Sequence, residues 1–444
     1  MYAKWWAAAL VLTAACTKKN PGHCGSNSDC SGATPFCDVE GAYDESDHTP
    51  NTCTPIPADC PIDVCGCTPG TALSCDGDQL TSCAADGTST TKSSCVLGCA
   101  TGSARCATFT PSNGLAGALK RAADEGDVAI PKGSTIDTDT GAVRDSAGES
   151  IPVTNLLVGP IRVFIAKNLT VDAARVLGAA PIALVASGAI SIQGFLDISG
   201  KATQGGPGAQ TSGSCTGLDS VVTLSGSPAE YTGSGPSGAG HATTGGTGGG
   251  KNAPGPAGGA GFASFTPLRG GCQGGNARAQ DGTLVASGGG GGGAIQIVAG
   301  ESLVFSARGF IAAGGGGGAK SGGGGSGGTI LLEAPTVAFS DGTSGAETNG
   351  GGGGCQDGAG QDALPSAVPA KGCSTGSGDG GTGTLAPIGG YYCGSGGNFC
   401  IVYSIYPGGG GSAGSMSVST LSGGYDAGMA VLSTNIVTSS LTLD

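Results

Sequence analysis

Charge is scarce in this chain. Lys, Arg, Asp and Glu together make up 11% of its 444 residues, against about 25% in ordinary globular proteins. What charge there is leans acidic: 19 Lys and Arg stand against 32 Asp and Glu, a formal net charge of −13. An acidic chain repels phosphate backbones. No basic patch with interleaved aromatics offsets that, which excludes nucleic acid as a partner. Histidine occurs only at positions 23, 48 and 241, which starves both Ser-His-Asp chemistry and histidine-rich zinc sites. Aromatics are 5%, too few for a broad sugar-stacking face. No apolar run reaches the roughly 18 residues of a membrane-spanning helix, and no strict G-X-Y period supports collagen.

The longest apolar run is short and sits at the start. Lys4 and the amino terminus supply a weak positive region, "WWAAALVLTAA" an apolar stretch, and "LTAAC" ends at Cys16. Ala-Ala-Cys resembles the bacterial lipobox, whose cysteine becomes the lipidated N-terminus. The departure is Thr13, where Leu is more usual. Thr17 lacks the inner-membrane retention signal, an Asp at that position, and so favours the outer membrane.

Cysteine is plentiful and supports export. Beyond Cys16, twelve cysteines lie between Cys24 and Cys106 and six between Cys215 and Cys400. Both sets are even, as two separate disulfide frameworks require. The "CGC" of Cys65 to Cys67 is too tight for the usual zinc-binding pair. Pairing by nearness gives Cys215–Cys272, Cys355–Cys373 and Cys393–Cys400 among fifteen possible connectivities. The N-terminal stretch has too few apolar residues for a core, so its bridges must substitute, each contributing about 2–4 kcal/mol.

Glycine dominates the second half. Of 92 glycines, 74 lie from Gly188 onward. Between them run alternating strands that repeat. "IRVFIAKNLTVDAARVLGAAP" from Ile161 and "IALVASGAISIQGFLDISGKA" from Ile182 superpose at a spacing of 21, pairing Ile161 with Ile182, Val163 with Leu184, Leu169 with Ile190 and Val171 with Ile192. "AIQIVAGESLVFSARGFIAAG" from Ala294 repeats the pattern with two extra residues before Gly309. "TILLEAPTVAFSDG" from Thr329 repeats it one residue shorter before Val337, and "SMSVSTLSGG" from Ser415 is a fourth version. Such repeats are the signature of parallel β-helix rungs. Three copies follow directly on a Gly run, at Gly288–Gly293, Gly322–Gly328 and Gly408–Gly414. A random linker would keep no fixed position relative to a strand, so the runs are expected to be ordered. Fixing each Gly costs about 0.5–1 kcal/mol more than fixing Ala. The gain must come from close backbone approach, at tight corners or in stacked polyglycine strands. Upstream, "SNGLAGALKRAADEGD" reads as a helix with Leu115, Leu119, Ala122 and Ala123 on one side, Ser112 or Asn113 as N-cap and Gly126 as stop; it would cap the first turn.

Few motifs carry chemistry. "GGGGGAKS" (Gly314 to Ser321) fails as a phosphate loop, because Ala319 replaces the needed Gly and more glycine, not a helix, follows. Asp137 and Asp139 in "IDTDTG" have the spacing of calcium ligands without the rest of a loop, so a solvated turn is preferred. The charged residues of the rungs, among them Asp172, Arg175, Asp197, Lys201, Arg308 and Glu333, form no ladder of acids, and Asp172 and Asp197 are four places out of register. Glycoside hydrolysis needs two facing carboxylates. His241, in "GAGHATTGG", reads as part of a solvated loop. The exceptional aromatic cluster is Tyr391, Tyr392, Phe399, Tyr403 and Tyr406, a candidate ligand patch or, preferably, a plug over the open end of the coil.

The lipobox-like start, "CGSNSDC…PFCD", "PSNGL", "IDTDTG", "LRGGCQGG", "GGGGGGAIQIVAG" and "GGTILLEAPTV" together resemble the Gly- and Cys-rich surface lipoproteins of myxobacteria and related predatory Deltaproteobacteria. The resemblance spans nearly the whole mature chain and implies export and a β-solenoid, with no catalytic residues to carry over. Many members end a last Gly run with an Arg-bearing strand, which "SAGSMSVSTL" lacks.

The expected fold is all-β, a Gly-rich right-handed parallel β-helix preceded by a small disulfide-rich module. Residues 1–15 would be a signal peptide and 16–108 the lipid anchor and Cys-rich module. Residues 109–160 would form a helical and β cap, and 161–444 the β-helix with long Gly-rich insertions. The expected function is a non-catalytic, surface-exposed outer-membrane lipoprotein, structural, adhesive or partner-binding. It would need no cofactor, and its partners would be the membrane, surface glycans or other cell-surface proteins. The alternative is a polysaccharide-active lyase or hydrolase on the same coil.

Overall fold

The computed structural model describes residues 30, 36–38, 51–54, 67, 70–84, 89–95, 97–224, 231–251, 254–262, 264–340, 342–356, 358–373, 376–383, 385–390, 392–393, 406–427, 430–433 and 435–443. The chain divides into two units, Met1–Thr108 with Leu443–Asp444, and Phe109–Thr442. Both are built of strands rather than helices.

The first unit is stapled. Phe36–Asp38 pairs antiparallel with Thr52–Thr54, and Cys30 is bonded to Cys53. A three-stranded antiparallel sheet of Ala72–Asp76, Gln79–Cys83 and Thr90–Ser94 follows. The last of these strands is exposed along its whole length, so the sheet buries little apolar surface. Disulfides Cys67–Cys83, Cys75–Cys99 and Cys95–Cys106 tie its strands to the segments around them.

The second unit is organised by three sheets that the chain visits in rotation. Ile161–Ala166, Leu169–Val171 and Ala174–Leu177 place one strand in each sheet. Ile182–Ala186, Ala189–Ile192 and Phe195–Asp197 place the next, parallel to the first. Ala294–Ala299, Ser302–Phe305 and Phe310–Ala312 follow in the same order, then Thr329–Glu333, Val337–Phe339 and Gly345–Glu347. Ser415–Thr420 and Asn435–Ser440 extend the first sheet, and Val431–Ser433 the third. Antiparallel neighbours occur where Thr154–Val158 and Val143–Arg144 close one end of the first and third sheets.

The interior is one apolar column. Ile182, Ile295 and Ile330 of the first sheet meet Ile190, Leu303 and Val337 of the second and Leu196, Ile311 and Ala346 of the third. Phe305 stacks on Phe339 at 4.3 Å between ring centres, since identical positions of successive strands lie one strand spacing apart.

The strand matches expected from Ala294 and Thr329 onward are the pairs formed, including Ile182 with Ile295, Phe195 with Phe310 and Leu303 with Val337. One expected register is off by a residue. Leu169 pairs Ile190 at the expected spacing of 21, but Arg162 pairs Ile182 and Val163 pairs Ala183, a spacing of 20. The extra residue is taken up at Gly188, where a Cβ would strike the Asn168 amide. The slip is hidden in the sequence because Ile161–Ala166 is apolar on both faces apart from Arg162, and alternation fixes register only where one face is polar. Phe164 and Leu184 point into the column. Val163, Ile165 and Val185 are also buried, on the outward side.

That outer face is covered by the helix Ala116–Ala122, which lies against Ile161–Ala166 and Ile182–Ala186 and buries Leu115, Ala118 and Ala122. The helix therefore roofs one sheet instead of capping the first turn. Its expected N-cap is also different: Leu115 holds that position with no side-chain cap. Asn113 and Gly114 adopt left-handed φ values of 55° and 75°, and this turn drives Ser112 and Asn113 into the sheet. Glu333, 3% exposed, accepts from the Ser112 N–H at 3.1 Å and its hydroxyl at 2.7 Å. It also accepts from the Gln296 amide at 2.6 Å. Asn113 donates to Gln296 Oε1 at 2.9 Å and accepts from the Leu268 N–H at 3.1 Å.

Replacing Glu333 would orphan three donors at once. Glu333→Leu is expected to lower unfolding free energy by about 2–4 kcal/mol, and Ser112→Ala by about 1 kcal/mol. Urea denaturation of both variants checks this, and a Glu333→Leu variant as stable as wild type would remove the clamp from the account.

Candidate functional site

The first complete turn passes from the third sheet back to the first in four residues, 178–181. The next three do not. After Asp197, Ala312 and Glu347 the chain leaves the three sheets, and it returns to the first only at Ala294, Thr329 and Ser415. Those excursions hold the glycine runs, and within them most of the described residues are neither helix nor strand.

The hydrogen bonds define what it is instead. In the run 322–328, Gly323 and Ser326 donate to Gly275 and Cys272, Gly324 and Gly327 to Gly409 and Ser412, and Gly325 and Gly328 to Gly316 and Ala313. Each neighbour is met every third residue, and successive residues meet different neighbours. That is a thread of three residues per turn without internal hydrogen bonds, the polyproline II type of backbone. The same thread accepts from Gly289 and Gly292, from Gly351 and Gly354, and from Ala239. It has six neighbours, giving to three and taking from three. The run 408–414 is a second such centre. It donates to Gly354, Gly351 and Thr348, to Pro236 and Ala239, and to Ile388, and it accepts from Gly246, Gly378 and Gly324.

Six neighbours leave no space for a side chain at the glycine positions of a thread. A Cβ built on Gly325 would fall well inside 3.0 Å of the Gly290 carbonyl. The same holds for Gly289 against Gly316, Gly324 against Gly351 and Gly411 against Gly325. Of the two uses of glycine that the sequence left open, stacked extended chains account for these runs. The runs 288–293, 322–328, 350–354 and 408–414 are buried throughout. Each paired backbone group contributes a net of about 0.5–1.5 kcal/mol, which offsets the entropy lost in ordering glycine.

Disulfides stitch the bundle. Cys215 is bonded to Cys272 and Cys355 to Cys373. The first joins the segment before Leu218 to the thread 270–275, and the second joins the end of 350–354 to the segment that meets Gln361. Cys400 lies outside the described residues, and with it the Cys393–Cys400 pairing. Tyr391, Phe399 and Tyr403 also lie outside them, as does Cys16. Tyr392 and Cys393 form a short strand beside Gly250–Lys251. Tyr406 is described and buried.

Side chains inside the bundle are few. His241 is no solvated loop residue: it is 1% exposed and packs on Phe262 at 4.3 Å. The glycines beside it let backbones close around the ring, which composition alone conceals. Thr329 gives its hydroxyl proton to the Arg269 carbonyl at 2.5 Å, so at 3.0 Å it must accept from His241 Nε2–H. Burial, with the charge of Arg269, lowers the imidazole pKa from 6.5 to about 3. Glu347 is fully buried where one thread leaves the third sheet. One carboxyl oxygen accepts from the Asn349 N–H at 2.8 Å, and the other has no hydrogen-bond partner among the described residues. Burial raises its pKa from 4.5 to about 8, the Asn349 and Gly314 backbones pulling down and Asp197 pushing up. Sequence reasoning missed this acid; its one signal is a Glu directly before a buried "TNGGGGG".

Asp137 and Asp139 serve the backbone separately. Asp137 accepts from the Asp139 and Thr140 N–H groups at 2.9 and 3.2 Å. Partial burial opposes its ionisation, but these bonds and nearby Arg162 hold its carboxyl below the usual value. Asp139 accepts from Ala179 at 2.8 Å. Among the described residues the one set of potential metal ligands that converges is Cys75, Cys95 and Cys99, and all three are in disulfides. No family model, curated protein or solved structure matches the chain.

The thread geometry gives one substitution opposite signs at two sites. Gly117, in the helix, has open space around its Cβ direction, so Gly117→Ala is expected to stabilise by about 0.5–1 kcal/mol. Gly325→Ala is expected to destabilise by about 3 kcal/mol or more. Equal effects in urea melts would refute the close-packed threads.

The two buried titrating groups set a pH profile. Between about pH 3 and 6.5 the unfolded chain protonates His241 and the folded chain does not, so stability falls as pH drops. Between about 4.5 and 8 the folded chain keeps the Glu347 proton and the unfolded chain does not, so stability falls as pH rises, at about 1.4 kcal/mol per unit. The terms oppose each other from 4.5 to 6.5, leaving a plateau there and a decline from 6.5 to 8. Glu347→Gln is expected to flatten that decline; parallel wild-type and variant curves over pH 6.5–8 would contradict it.

Proposed function

We propose that the chain is a non-catalytic, surface-exposed outer-membrane lipoprotein of the Gly- and Cys-rich kind it resembles, anchored through Cys16 and built to engage a partner. In this reading the three sheets of the second unit are the faces of a right-handed parallel β-helix, and the thread bundle is its rigid side projection. The observation that carries the proposal is the bundle: a large, disulfide-stitched body whose interior is nearly all backbone. Such a body holds a shape and offers little side-chain chemistry. Several acids of the second unit support the same view, because they are engaged in structure. Glu333 clamps Ser112, Asp197 holds Lys201 at 2.8 Å, and Asp362 accepts from both Ala202 and Gly317. Glycan cleavage instead needs two carboxylates free to face a substrate.

Expression of the whole chain in a Gram-negative host with labelled palmitate tests the anchor and the location together. Label is expected on the wild type and to vanish in Cys16→Ser, and protease added to intact cells is expected to cleave the wild-type chain. Label-free wild-type protein, or complete protection from protease, would count against the proposal. Turnover of any polysaccharide by the purified chain would restore the enzymatic alternative.

A further inference from the structure

Beside the root of the thread bundle lies a cleft of about 320 Å³, lined among others by Arg175, Leu177, Ser199, Lys201, Gln204 and Gly205. It forms where the outer face of the third sheet meets the first excursion. Arg175 sits on that face between Thr135 and Asp197 of the neighbouring strands. Asp197 is its obvious partner but is already spent. One of its oxygens accepts from the Ser199 N–H at 3.1 Å and the other holds Lys201 at 2.8 Å. On the other side, Asp139 is turned to the Ala179 N–H. Arg175 is exposed and has no hydrogen-bond or ion-pair partner among the described residues. The cleft thus holds two cations against one spent acid, in a chain of net charge −13.

Around the free guanidinium stand neutral donors and an apolar wall. The Gln204 amide is unengaged among the described residues and the Gly205 N–H makes no backbone hydrogen bond there. Leu177 is 43% exposed, and Pro207 continues the same wall. A guanidinium fork matches a carboxylate in bidentate geometry. Amide and N–H donors suit ring hydroxyls, and an apolar wall suits the C–H face of a pyranose. We propose that this cleft binds the carboxylate-bearing ring of an acidic polysaccharide, a uronate, with Arg175 taking the carboxylate. The proposal rests on the reading of the chain as a partner-binding surface protein and names the partner's chemistry.

Calorimetric titration of the whole purified chain tests it with three probes: trigalacturonate, its methyl ester and triglutamate. Trigalacturonate is expected to bind, to weaken as salt rises, and to lose about tenfold in affinity on esterification and in Arg175→Ala. Arg175→Lys is expected to lie between, since an ammonium keeps the charge without the fork. Arg175 is exposed, so neither variant should disturb folding, and unchanged urea midpoints check this. No binding of trigalacturonate, equal binding of the ester, or an Arg175→Ala variant that binds like wild type would each overturn the proposal. Triglutamate binding as tightly would overturn the sugar assignment. The two readings fail separately: a protease-accessible chain that ignores uronate loses only the cleft, and a uronate-binding chain that never reaches the surface loses only the location.

Discussion

The missing Cβ is the constraint on which this molecule turns. A backbone thread of three residues per turn can point its donors and acceptors at six neighbours, but only if the neighbours approach to hydrogen-bond distance on every side. Around 322–328 and 408–414 that condition is met, and at each glycine the direction in which a Cβ would emerge is occupied by a neighbouring carbonyl. The glycine there does not confer looseness. At those glycine positions no side chain fits, and the large conformational entropy of glycine is offset because the backbone groups it brings inside are paired.

Threads alone would have no reason to find one register. The three sheets supply it. Each excursion begins at a third-sheet strand and ends at a first-sheet strand, and those strands are already fixed by the parallel ladders and by the interior column from Ile182 to Ile330. Neighbouring roots therefore emerge one strand spacing apart, a separation at which extended chains can hydrogen-bond laterally. Side chains enter where the lattice needs closing. Ser326 accepts from the Cys272 N–H at 2.7 Å, and Asp362 satisfies Ala202 and Gly317 at the tips. There the chain bends through left-handed residues such as Lys320, at φ 46°.

How much of this can be read from the sequence follows from the same physics. The repeated strands are legible because Ile-Gln-Ile and Ile-Leu-Leu recur at fixed distances from other apolar pairs, and a Gly run that precedes three of them at one position cannot be a random linker. The slip between Ile161–Ala166 and Ile182–Ala186 is not legible, because a strand buried on both faces carries no alternation. Ser112 and Asn113 look like a helix cap since those residue types usually are one. Their true partners, Glu333 and Gln296, lie about 200 residues away, beyond local pattern. His241 misleads for a further reason: surrounded by glycine, it reads as exposed, yet glycine here marks close backbone packing.

That inversion bears on where recognition can reside. Inside the bundle most positions are barred to side chains, so the interior has few means of distinguishing one ligand from another. On the proposed function, selectivity would come from positions where threads turn, leave the sheets or end, where side chains such as Arg175, Lys201 and Gln204 find room. A cation at such a root is also held more firmly than one on a loop: Arg175 is a strand residue with parallel neighbours on both sides, and the thread opposite it is fixed by its own lattice. The glycine lattice would then serve recognition indirectly, as the frame that keeps a sparse set of polar groups in place without adding charge of its own.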